Sequence, residues 1–107
     1  MMSVADDGTP YETSSADGAI VREIPITNKR GLHARASAKF VQMVERFDAE
    51  ITVTRNNETV GGTSIMGLMM LSAGPGSSII VSASGAQARE AIDALTELVT
   101  TKFGEDE

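Results

Sequence analysis

The sequence predicts an α+β sandwich, with four strands in one sheet and helices packed on one of its faces. Three observations carry this prediction. Ile51-Thr52-Val53-Thr54 is a β-branched, alternating run of the kind that forms strands. Ala88, Ala91, Ile92, Leu95, Leu98 and Val99 recur at the spacing of one helix face. Around them the segments run strand, helix, strand, strand, short helix, strand, helix. Patterning alone leaves a ferredoxin-like arrangement open.

Residues 1–19 read as a disordered acidic tail and 20–107 as the folded domain. The tail is rich in Ser, Thr, Asp and Gly and holds Asp6, Asp7, Glu12 and Asp17 with no basic residue. Its few apolar side chains do not offset the entropy of ordering. Ile20 to Ile26 is the first strand, and Pro25 within it calls for an edge or strand-end position. Thr27 to Leu32 is a loop, and Phe40, Val44 and Phe47 mark a helix from about Ala34 to Arg46. Ile51–Thr54 and a short return strand from Glu58 to Gly62 make a hairpin, because Asn56-Asn57 tolerates the positive φ of a tight turn.

Ser64 precedes a short apolar stretch and suits the N-cap of one or two helical turns. Ala73-Gly74-Pro75-Gly76 is a turn, and Ser78 to Ser84 is the last strand, centred on Ile79, Ile80 and Val81. Ser84 and Gln87 suggest a capping box for the final amphipathic helix. Glu105, Asp106 and Glu107 read as a frayed acidic end.

Composition narrows the function. The chain has 107 residues, no cysteine, a net charge of −6 and a pI near 4.7. That length supports one domain. No apolar run approaches the ~20 residues needed to cross a bilayer. No basic region followed by an apolar stretch opens the sequence, so no secretory signal is expected. General nucleic-acid binding needs a broad basic face that an acidic chain does not offer. A single histidine and no cysteine cannot build a His- or Cys-rich metal site, and no Walker-type phosphate loop is present. No metal or cofactor is expected.

One stretch stands out chemically. Gly31-Leu32-His33-Ala34-Arg35-Ala36-Ser37 places the only histidine at a helix N-terminus. The first main-chain N–H groups of a helix lack intrahelical partners and, with the dipole, favour a phosphate. Arg35 can fork onto phosphate oxygens. Lys29, Arg30, Arg35 and Lys39 form a basic island with no acid among them. The alternatives are a polar capping histidine and a solvated basic helix start. A free imidazole, with a pKa of about 6.5, is largely neutral and nucleophilic at pH 7.

Gly-Leu-His-Ala-Arg resembles the active-site motif of the HPr family, the histidine phosphocarriers of the phosphoenolpyruvate phosphotransferase system. Ser64-Ile65-Met66-Gly67-Leu68-Met69-Met70-Leu71 is similar to the family's regulatory-serine segment. The two blocks lie in the family's order and at a matching separation, and the resemblance covers about residues 20–103. Two departures stand out: Ala36 replaces the usual proline, and Thr63 the frequent lysine. Proline is favoured but not required in a first helical turn, and alanine restores an N–H.

The resemblance implies an open-faced β-sandwich of the HPr type with a four-stranded, mostly antiparallel sheet. It implies a bacterial, cytoplasmic phosphocarrier rather than an independent enzyme. His33 would accept a phosphoryl group on Nδ1 from phospho-enzyme I and donate it to an enzyme IIA component, in a sugar or a nitrogen-related system. Arg35 would assist, and Ser64 would be a regulatory phosphorylation site for an HPr serine kinase/phosphorylase. A partner-binding patch of Ala34, Ser37, Ile65, Met66 and Met69 is expected around His33, with Leu68 and Leu71 anchoring the short helix beneath it. The protein is expected to act as a monomer. Two alternative functions are a regulatory protein-binding module read out by its phosphorylation state and a ferredoxin-like domain that binds small anions.

Overall fold

The computed structural model describes residues 11–14 and 19–105. Five strands form one sheet: β1 (Tyr11–Ser14), β2 (Ile20–Pro25), β3 (Glu50–Arg55), β4 (Glu58–Gly61) and β5 (Ser78–Ser84). Their spatial order is β1-β2-β5-β3-β4, and every neighbouring pair is antiparallel. The helices are α1 (Ala34–Val44), α2 (Ile65–Met70) and α3 (Ala88–Thr100), followed by a 3₁₀ turn at Lys102–Gly104.

The expected four-stranded antiparallel sheet is therefore present as β2 to β5, and β1 extends it at one edge. Residues 11–14 correct the reading of 1–19 as an unstructured tail: Tyr11 pairs with Glu23 and Ser14 with Ile20. The free edge of β2 supplies main-chain partners that a short polar segment can take without a strand-like side-chain pattern. Ala19, also assigned to the tail, is buried. The remainder of that expectation, residues 1–10 and 15–18, lies outside the described residues.

Alternation along the strands sends Ile24, Val53, Ile79 and Val81 to the helix-covered face, all fully buried. Phe40 of α1, Leu68 of α2 and Ile92, Leu95 and Val99 of α3 close the core from above. Arg22 ties β2 to α3, reaching Asp93 at 3.0 Å and the Thr96 hydroxyl at 2.8 Å. Asn56 and Asn57 have φ of 53° and 67°, as the hairpin between β3 and β4 requires. Pro25 ends β2, beyond the last pairing with β1.

The expected capping box at α3 is absent. Ser84 is held in β5 by pairing with Glu50, so the helix starts three residues later than that motif requires. Gln87 precedes α3 without a side-chain cap, and its Oε1 instead accepts the Asp48 main-chain N–H at 2.7 Å.

Candidate functional site

The loop from β2 to α1 is held against the turn that follows α2. Gly31 has φ +65°, and a Cβ there would lie 2.3 Å from the Ala73 carbonyl oxygen. The next residue uses that oxygen, since the Leu32 N–H donates to it at 2.9 Å. Leu32 is buried, so the chain enters α1 with a fixed direction. His33 follows as the N-cap of α1, in extended backbone.

Both nitrogens of the His33 ring are engaged. Nδ1 accepts the main-chain N–H of Arg35 at 3.2 Å. Nε2 lies 2.5 Å from Oε2 of Glu105. An amide can only donate and a carboxylate can only accept, so a neutral His33 carries its proton on Nε2. The Nδ1 lone pair thus faces the helix N-terminus. The imidazole is 21% exposed, enough to be reached from one side while the other is packed.

Glu105 does not belong to the frayed end that its acidic neighbours suggest; it closes the site, while Asp106 and Glu107 lie outside the described residues. Lys102, Phe103 and Gly104 have φ of 61°, 55° and 76°, a run of left-handed residues that turns the chain back over the α1 N-terminus. Phe103 is buried and anchors the turn. Lys39 donates from Nζ to the Phe103 carbonyl at 2.7 Å, so this half-buried lysine braces the turn rather than the imidazole. Sequence signals for this hook were an apolar residue and a glycine just past the last helix.

Burial pushes the Glu105 carboxyl up, but hydrogen bonds from His33 and Asn28 and the charges of His33 and Arg30 outweigh it, leaving its pKa below the ordinary 4.5. A lowered folded-state pKa means stability that is complete above the unfolded value and lost as pH falls through the folded one. Glu105→Gln should therefore remove an increment of about 1 kcal/mol or less that wild type holds at pH 6 and loses in the acid range. Thermal melting of both proteins from pH 6 to pH 3 checks this: the gap between them should narrow on acidification. A gap that stays constant would show that the carboxylate charge contributes nothing.

The remaining predicted residues divide. Arg35 is exposed, and among the described residues no side-chain partner holds its guanidinium. Ser64 is the N-cap of α2, its Oγ accepting the Gly67 N–H at 2.9 Å, as expected. Leu68 and Leu71 are buried and anchor that helix. Ile65, Met66, Met69 and Met70 are its exposed apolar residues, at 40, 71, 39 and 69%. Met70 is exposed in addition to the residues of the expected patch. Ala34 is exposed as well. Ser37 is a correction: it is fully buried and its hydroxyl donates to the Leu32 carbonyl at 3.3 Å, so it cannot line a surface patch. It lies on the face of α1 that carries Phe40, Val41 and Val44 inward.

The fold is an open-faced antiparallel sandwich, and its single histidine caps α1 with both ring nitrogens engaged. Comparison with known proteins identifies the family. Residues 20–101 match the family model described as "PTS HPr component phosphorylation site". The chain is similar to phosphocarrier protein HPr of Neisseria meningitidis serogroup A, 51% identical over 86 residues that cover 80% of this chain and 97% of that protein. It is also similar to phosphocarrier protein NPr of Shewanella violacea, 42% identical over 84 residues, covering 78% and 92%. A crystal structure of HPr-C-His from Thermoanaerobacter tengcongensis superposes with a TM-score of 0.77 at 44% identity, covering 81% of this chain and 98% of that one. The chain belongs to the HPr family, the phosphocarriers of the phosphotransferase system.

Proposed function

We propose that this protein takes a phosphoryl group from phospho-enzyme I onto Nδ1 of His33 and passes it to an enzyme IIA component in the cytoplasm. The observation that supports this most is the engaged ring: Glu105 on Nε2 leaves Nδ1 as the nucleophile. In acceptance, the Nδ1 lone pair forms the bond to phosphorus as the bond to the donor breaks. Positive charge that develops on the imidazole is met by the Glu105 carboxylate through Nε2–H. The Arg35 N–H, released from Nδ1, turns to a phosphate oxygen, and the Arg35 guanidinium folds over the others. Donation to the next protein reverses these steps. Little acid–base chemistry is required, so positioning and charge carry the rate.

The test is transfer itself. Incubated with enzyme I and labelled phosphoenolpyruvate, the protein should acquire acid-labile label, which an enzyme IIA component then removes. Absence of label with an active enzyme I would leave the anion-binding alternative.

Docking is assigned to Ile65, Met66, Met69 and Met70 of α2 together with Ala34. Methionine is flexible and polarisable, which suits a surface that fits successive partners. Regulation is assigned to Ser64, at the edge of that patch. A phosphate there adds nearly two negative charges beside apolar side chains while sitting at a helix N-terminus that tolerates it. Met66→Ala should weaken enzyme I binding by on the order of 1 kcal/mol and leave melting unchanged, because its side chain is mostly in solvent. Ser64→Asp, an imperfect mimic, should raise the Michaelis constant for phosphorylation with an unchanged circular dichroism spectrum. Intact binding by both variants would move the docking surface elsewhere.

A further inference from the structure

Asn28 lies five residues before His33, in the loop, and is fully buried. Its amide nitrogen donates to the Gly31 carbonyl at 2.9 Å and to Oε1 of Glu105 at 3.1 Å. Both partners are acceptors, so the amide orientation is fixed: the NH₂ faces them and Oδ1 points away. Among the described residues, no donor reaches the buried Oδ1.

The two acceptors share one property. The Gly31 carbonyl also accepts the main-chain N–H of His33 at 2.9 Å. The Glu105 carboxylate that receives Asn28 on Oε1 receives the His33 ring on Oε2. The two hydrogens of one amide therefore reach His33 from opposite ends, one through its backbone and one through its ring.

We propose that Asn28 is a positioning residue that fixes the tautomer and orientation of the His33 imidazole. This rests on the phosphocarrier reading of the site. Asn28 does not touch the phosphoryl group. It holds the carboxylate where Nε2–H must point, and so keeps the proton off Nδ1. Aspartate is the wrong residue here: it would set a carboxylate against the Glu105 carboxylate and the Gly31 carbonyl, and expel Glu105 from the ring.

The experiment is ¹⁵N NMR of the His33 ring in the full-length wild-type, Asn28→Ala and Asn28→Asp proteins, at a pH where the ring is neutral, alongside the rate of phosphorylation by enzyme I. Wild type should show Nε2–H as the dominant tautomer. Asn28→Ala removes both bonds at a single loop position, and circular dichroism checks that the fold persists. In that variant the Nδ1–H tautomer should gain population, and phosphorylation should slow on the order of tenfold, the scale of a misplaced reacting group. Asn28→Asp should show the same changes more strongly. Wild-type tautomer populations in both variants would overturn the inference. If wild type itself takes no phosphate, the carrier reading fails, whereas the ring spectra still decide whether Asn28 sets the tautomer.

Discussion

His33→Ala should abolish phosphoryl acceptance while the domain stays folded. The chain has no other histidine, and no other side chain at the α1 N-terminus offers a neutral nitrogen lone pair. The variant does lose two structural contacts, the cap on the Arg35 N–H and the ring's bond to Glu105. Replacing a cap by alanine lowers stability by about 1 kcal/mol. Melting should therefore fall by several degrees, since 1 kcal/mol moves the midpoint of a domain this size by roughly 4–8 °C. Labelling with enzyme I and phosphoenolpyruvate should drop to background. Undiminished label on the alanine protein would place the phosphoryl group elsewhere.

Gly31→Ala should be the more damaging change to the fold. An alanine Cβ would stand 2.3 Å from the Ala73 oxygen and 2.9 Å from the Gly74 Cα, both main-chain atoms that cannot rotate aside. The left-handed φ of +65° adds its own strain. Relief requires the two loops to separate, which breaks the hydrogen bond from the Leu32 N–H to the Ala73 carbonyl. Strain and the lost bond together amount to about 3 kcal/mol. That corresponds to a midpoint lower by roughly 10–25 °C. Transfer should fall as well, because the same loop sets the position of His33. A Gly31→Ala protein that melts and transfers like wild type would contradict this packing.

Some of this was readable from sequence because the signal was local. Asn56-Asn57 between two β-branched runs marks a hairpin by its own conformational preference. Ser64 before an apolar stretch marks a cap, and Leu68 and Leu71 mark the buried side of the helix it starts. Gly31 and His33 stand at a break in patterning where a loop meets a helix. The burial of Ser37 was available too, since it lies three residues before Phe40 and seven before Val44, on the same face.

Other features depend on distant partners. Tyr11–Ser14 is a strand because β2 has an open edge, and nothing within those four residues alternates. Glu105 meets His33 across 72 residues of sequence, through a turn built from three left-handed residues. Asn28 looks like any loop asparagine until the carboxylate it holds is placed. Gln87 has the spacing of a capping-box residue after Ser84, but its side chain accepts the Asp48 N–H instead. In each case a tertiary contact overrode a weak local preference.

The most direct measurement is the position of the phosphoryl group on the imidazole. With the protein ¹⁵N-labelled in histidine and phosphorylated by enzyme I and phosphoenolpyruvate, ring ¹⁵N shifts and their coupling to ³¹P identify the bonded nitrogen. Proton placement by Glu105 and Arg35 predicts a single species with phosphorus on Nδ1 of His33 and a proton on Nε2. Phosphorus on Nε2, or an unmodified His33 ring in a labelled protein, would contradict it.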